Sequence, residues 1–172
     1  MKAAILTISD RCARGEAEDV TGPTLRKVLE TAGAQVVESA LVPDEADLIQ
    51  AELIRLSDQV GADVVFTNGG TGLGPRDVTP EATEAILERR TPGLAEACRL
   101  GSLPKTPTAM LSRGTAGLRG KTLIVNLPGS PRGARECLEI ILPVLDHAVD
   151  MIAGRGHTPE VRGNGGARSD GN

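Results

Sequence analysis

The chain's 172 residues suffice for one domain with a sizeable core that needs no disulfide or metal staple. Phe66 is the single aromatic residue, so the core must be aliphatic, and stacking of a heterocycle on protein rings is almost excluded. A formal charge of −4 argues against a general nucleic-acid or acidic-membrane binder, because both need a basic face.

In chain order, "AAILTIS" (3–9) opens the fold as a short apolar run rich in β-branched residues. "ADVVFTN" (62–68) and "TLIVNLPG" (122–129) are runs of the same kind, and "AQVVESALV" (34–42) reads as a further strand with frayed ends. Continuous rather than alternating hydrophobicity marks strands buried on both faces of a parallel sheet. Helical patterns fall between them: Leu25, Val28, Leu29 and Ala32 share one face, as do Ile49, Leu53, Leu56 and Val60. Alternating strand and helix predicts an α/β layer fold. "TAMLSRGTAGLRGKTLIVNL" reads as a strand, a Gly-rich connection and a returning strand, so one short antiparallel element is expected there. From about Arg132 a long helix should run to Ile152, with Leu138, Ile141, Leu145, Val149 and Ile152 on one side. Pro143 lies inside it and predicts a kink or break. After Ala153 the chain becomes Gly-rich and almost free of apolar side chains, which predicts a domain over 1–153 and a flexible tail over 154–172.

Three helix starts share one grammar, Gly22-Pro23, Thr79-Pro80 and Ser130-Pro131, each placing proline at the first helical position. In open parallel sheets the ligand crevice lies outside the carboxyl ends of the strands, where helix N-termini offer free N–H groups to anions. The loops at 9–22, 68–79 and 126–131 should therefore converge on one anionic ligand.

The densest signal is "TNGGTGLGPRDVTPEAT" (67–83). It is not a Walker loop, since Pro75-Arg76 stands where Lys and Ser/Thr belong, and the dinucleotide fingerprint fails at Pro75, which disfavours a nicotinamide-linked oxidoreductase. Gly69, Gly70, Gly72 and Gly74 permit positive φ and close approach, as a nest of backbone N–H groups for phosphate requires. Two readings stand for Asp77: a partner of the helix dipole or of Arg76, or a carboxylate holding Mg²⁺ beside phosphate. Asp44 in "VPDEADL" has the pattern of a helix N-cap. Ser9 and Asp10 end the first strand, where a local turn bond is the plain reading. "NLPGSPRG" reads as a strand-to-helix connector, with Asn126 and Ser130 facing the same rim as Thr71.

Cys12, Cys98 and Cys137 lie far apart and form no CxxC pair, which fits free thiols in a reducing compartment and small buried fillers. His147 and His157 are too few for a His-rich metal site. With no signal-peptide pattern and no membrane-length apolar run, a soluble, cytoplasmic protein is expected.

Taken together, "TISDR" (7–11), "VPDE" (42–45), "TNGGTG" with "PRDVTPEAT" (67–83), "LSRG" (111–114) and "NLPGSPRGARECLE" (126–139) resemble the MogA/MoaB family, in order and with compact spacing over about residues 1–153. The resemblance implies a three-layer α/β/α sandwich with a mostly parallel central sheet. It also implies a homotrimer that binds molybdopterin and, in the adenylyltransferase members, consumes Mg²⁺-ATP to give adenylyl-molybdopterin and pyrophosphate, before a MoeA-type protein inserts the metal. It makes Asp44 and Asp77 the catalytic and metal-binding pair. Ser9, Asp10, Asn68, Gly69, Gly70, Thr71, Gly72, Ser112, Asn126, Pro128, Gly129 and Ser130 become substrate or nucleotide contacts. On charge alone, Arg76 and Arg132 would add to the positive field there. A MoaB-like binding or scaffolding trimer without catalysis is the alternative the resemblance leaves open.

Overall fold

The structure is a computed structural model and describes residues 1–155. The six strands are β1 (Lys2–Ile8), β2 (Gln35–Val42), β3 (Val64–Asn68), β4 (Arg89–Arg90), β5 (Ala116–Arg119) and β6 (Thr122–Leu127), in the sheet order β2-β1-β3-β6-β5-β4. The first four of that order run parallel; β5 and β4 are antiparallel additions at one edge.

The inner strands are buried on both faces, as their unbroken apolar runs require. Ala3 and Ile5 of β1, with Phe66 and Val125, face the layer formed by α2 (Thr21–Thr31), α5 (Pro92–Ser102) and α6 (Pro131–Ile152), meeting Leu25, Leu29, Leu138, Ile141 and Leu145. Ala4, Leu6 and Ile8, with Val65 and Ile124, face α3 (Ala46–Ile54), the helical turn Arg55–Gln59 that continues it and α4 (Thr79–Glu84), meeting Ile49, Leu53, Leu56 and Ala82. The result is the expected three-layer α/β/α arrangement. On α2 the buried stripe is narrower than the pattern suggested, since Ala32 is exposed at the helix end.

The short antiparallel element exists, displaced along the chain. β5 meets β6 through Gly120-Lys121, with Gly120 at φ 53°, whereas the "TAML" segment forms a 3-10 turn (Pro107–Leu111). Pro107 starts that turn, where its missing N–H suits a helical first position better than a strand ladder. α6 is not broken at Pro143. The proline sits on the exposed side while Ile141, Leu145 and Val149 hold the helix to the sheet, so the missing hydrogen bond falls on the solvent side.

Of the three proline starts, Ser130-Pro131 follows the expected grammar, with Ser130 Oγ accepting from Gly133 N at 3.2 Å. α2 instead begins at Thr21, with Val20 in the cap position and Asp19 Oδ1 accepting from Gly22 N at 2.9 Å. The tail reading over 154–172 lies almost wholly outside the described residues.

Candidate active site

Strand polarity builds the site. The four parallel strands deliver residues 9–10, 43–44, 69–77 and 128–130 to the same end of the sheet, and the strand order reverses between β1 and β3, where open α/β sheets hold their ligands. Buried polar side chains knit the strand ends together there. Asn68 Nδ2 donates to Thr7 Oγ1 at 3.0 Å, Thr7 Oγ1 donates to Asp19 Oδ2 at 2.6 Å, and Asn126 Nδ2 donates to Thr67 Oγ1 and Thr83 Oγ1, both at 3.0 Å.

The glycines after β3 have two different reasons to be glycine. Gly69 and Gly70 hold positive φ, 104° and 62°, and a Cβ would drive into the Ile8 carbonyl oxygen at Gly69 and into Thr79 Oγ1 at Gly70. Gly72 and Gly74 do not take positive φ. They are small because Asp77 folds over them: a Cβ would lie 2.9 Å and 2.8 Å from its Oδ2, which accepts from Gly74 N at 2.7 Å. The four-glycine nest is thus a two-glycine turn followed by a seat for Asp77.

Arg113 clamps this loop from outside. Its backbone N donates to Thr71 O at 2.9 Å and its Nε to Gly72 O at 2.7 Å, while its other nitrogens reach Asp77 O and Glu81. Arg76 does not pair with Asp77. It grips Asp10 through two bonds of 3.0 Å and reaches Glu45 at 2.9 Å. Arg132 is likewise held by Glu136 at 3.0 Å, so neither arginine is a free cation facing the site.

Asp44 is not the N-cap of α3; position 45 is, without a side-chain bond. Its Oδ2 accepts from Asp10 N at 2.7 Å and Asp44 N donates back to Asp10 Oδ1 at 3.0 Å, locking the ends of β1 and β2 together. Burial pushes the Asp44 carboxyl above its ordinary range, and the charges of Asp10 and Asp77 push the same way against the Asp10 N–H bond. Asp10 moves down, chiefly through its hydrogen bond with Arg76. Ser9 Oγ accepts from Cys12 N at 3.2 Å and caps the short helix α1 (Asp10–Ala13), the local bond its position suggested.

Two cavities open at this end of the sheet rather than one. A cavity of about 380 Å³ is bordered by Gly70, Thr71, Gly72, Asp77, Ser112, Asn126, Pro128, Gly129 and Ser130. A second, of about 320 Å³, is bordered by Ser9, Asn68, Gly69 and Gly129 together with the 17–21 segment. Gly69 and Gly129 form the ridge between them, a Cβ on Gly129 falling 3.2 Å from Gly69 Cα. The 9–22 loop therefore faces its own cavity. Asp10 and Asp44 border neither, being turned toward one another. Asn126 borders the first cavity with its amide already committed, its Oδ1 accepting from Thr115 N at 3.2 Å.

Sequence reading missed the far wall, which α5 supplies through Ala95, Cys98, Arg99 and Ser102. The available signal was small residues recurring on one helical face where a packed helix would carry large ones.

Among the described residues, no group of three or more His, Cys, Asp or Glu side chains forms a ready metal cage. The donor set still fits Mg²⁺, which is usually held by one or two carboxylates with water and substrate phosphate. Asp44 and Asp77 each commit Oδ2 to a backbone N–H, and Oδ1 of each accepts no hydrogen bond among the described residues.

A family model described as "Probable molybdopterin binding domain" matches residues 4–147. The molybdopterin adenylyltransferase of Helicobacter pylori strain 26695 is 45% identical over 152 residues, covering 87% of this chain and 86% of that protein. A solved structure of the molybdopterin biosynthesis enzyme MoaB from Thermus thermophilus superposes with a TM-score of 0.85 at 54% identity, covering 89% of this chain and 96% of that one. A structure of MogA gives 0.84 at 44% identity, covering 88% and 99%. With its sheet order, its glycine turn and its paired carboxylates, this chain belongs to the MogA/MoaB family of molybdopterin-binding domains in molybdenum cofactor biosynthesis.

Proposed function

We propose that the chain is a molybdopterin adenylyltransferase, joining molybdopterin to the adenylyl group of ATP. An oxygen of the molybdopterin phosphate bonds to the α-phosphorus of ATP, the bond from that phosphorus to the β-phosphate bridge breaks, and pyrophosphate leaves. One observation carries the reading: Asp77 borders a substrate-sized cavity, and Asp44 Oδ1 lies behind the same wall, against Gly70, where a Cβ would come within 3.0 Å of it. Nucleotidyl transfer depends mainly on positioning and charge neutralisation, so the site needs no His or Cys.

The residues divide the work by position. Gly70 and Gly72 bring backbone close to the substrate phosphates, while Ser130 caps α6 so that its first turn faces the same cavity. Arg113 keeps the Asp77 loop in place. Asp44 and Asp77 would hold Mg²⁺, which when bound neutralises phosphate charge. The working assembly on this reading is a cytoplasmic homotrimer that passes its product to a MoeA-type insertion protein.

The test is pyrophosphate release from Mg²⁺-ATP on adding molybdopterin, with Asp77→Ala alongside. Wild type should release pyrophosphate; the variant should fold normally and lose at least about a hundredfold in rate. A variant at full rate removes Asp77 from the chemistry. Molybdopterin binding without release by wild type selects the MoaB-like binding role.

A further inference from the structure

The chemistry above uses no thiol, yet two of the chain's cysteines meet at the wall of the first cavity. Cys98 on α5 and Cys137 on α6 are 6% and 4% exposed, and both border the cavity. Cys98 Sγ donates to the Cys137 carbonyl at 3.6 Å, and Ser102 Oγ lies 3.6 Å from Cys137 Sγ. The pair is asymmetric. Hydrogen bonding from Cys98 pulls the Cys137 thiol down, with Ser102 helping against the cost of burial. The same contact, with burial, pushes Cys98 up. The geometry is asymmetric too: the Ser102 hydroxyl lies beside Cys137 Sγ, where it can donate to a thiolate, while Cys98 spends its S–H on a carbonyl, and both residues border the same cavity. Two inert fillers would need neither the contact between them nor a solvent path through the cavity. Cys12 lies on the other cavity.

We propose that Cys98 and Cys137 form a reversible, peroxide-driven disulfide that joins α5 to α6 and closes the first cavity to its ligand. The Cys137 thiolate attacks one oxygen of hydrogen peroxide and the O–O bond breaks. The departing hydroxide takes a proton and leaves as water, with Cys137 now a sulfenic acid. The Cys98 sulfur then attacks that sulfur, the S–O bond breaks, and hydroxide carries off the Cys98 proton as a second water. Two thiols and one peroxide become one disulfide and two waters. An external dithiol reverses the step. Joining the helices draws the wall carrying Ser102 toward the wall carrying Gly133 and Ser130, and the cavity between them narrows. Closure toward molybdopterin rests on the function proposed above; disulfide formation does not.

The experiment titrates the full chain carrying Cys12→Ser with hydrogen peroxide. Intact mass, peptide mapping and pyrophosphate release are followed before and after dithiothreitol. The expected result is the loss of two hydrogens, a cross-linked peptide pair holding Cys98 and Cys137, loss of pyrophosphate release, and recovery of both on reduction. With Cys98→Ser added, or Cys98→Ala as a second variant, oxidation should stop at a Cys137 sulfenic acid trapped by dimedone. A chain that gains oxygen without cross-linking, or that links only between molecules, overturns the proposal. So does a cross-linked chain that turns over at the reduced rate. If the reduced protein releases no pyrophosphate, the adenylyltransferase reading fails by itself, and equilibrium binding of molybdopterin then reports whether the disulfide closes the cavity.

Discussion

Gly69 and Asp44 show how much single residues carry at this rim. Gly69 combines positive φ with a backbone oxygen where a side chain would go, so Gly69→Ala should destabilise the fold by about 3 kcal/mol, read from the denaturant midpoint. A shift under about 1 kcal/mol would mean that the turn relaxes freely. Asp44 carries a carboxyl whose pKa burial raises above its ordinary 3.8. Well below 3.8 it is protonated in folded and unfolded chains alike and costs nothing. As pH rises through 3.8 toward the raised folded value, the unfolded chain ionises first, so the folded state loses stability there and the loss persists at neutral pH. Asp44→Asn removes that loss. Its melting temperature should exceed wild type at neutral pH, with the gap closing as pH falls below the carboxylate range, while pyrophosphate release disappears. A gap that widens on acidification would contradict the assignment. Asp10 has the opposite sign: Arg76 holds its pKa down, so its contribution is present above the ordinary carboxylate value and fades as pH drops.

Among the elements, α6 was legible as a helix because Leu138, Ile141, Leu145 and Val149 recur at helical spacing and are all buried. Its response to Pro143 was not legible, because whether a proline breaks a helix depends on which side faces the core. Pro143→Ala restores an N–H on the exposed side, so stability should rise by about 1–3 kcal/mol in urea unfolding, and a fall would show that the proline itself is needed for packing. α5 escaped notice because its cavity-facing positions Ala95, Cys98 and Ser102 are small, so its buried face lacks the large apolar residues that mark a core helix. β4 has only two residues and exists through its pairing with Leu118 and Gly117, which no local pattern announces.

At the scale of the whole molecule, the parallel order of β2, β1, β3 and β6 sets the site, since it sends four loops to one end of the sheet. Among the described residues no helix is long and apolar enough to cross a membrane. The family model ends at residue 147, and the described core needs nothing beyond α6. Truncation after Ala153 should therefore leave turnover and the melting temperature unchanged; a large loss of activity would give the tail a role in the site.

The sequence by itself determined the strands buried on both faces, the Ser130-Pro131 helix start and the family motifs. Each is written in neighbouring residues, where apolar runs, proline and glycine act through the local backbone. Only the tertiary structure decided what the polar side chains do. Asp44 bonds to Asp10, 34 positions away, instead of capping its own helix, and Arg76 reaches 66 positions to Asp10 instead of pairing with the adjacent Asp77. Ion pairs and cavity walls join residues that only strand order brings together, and strand order follows from burying both faces of the sheet at once.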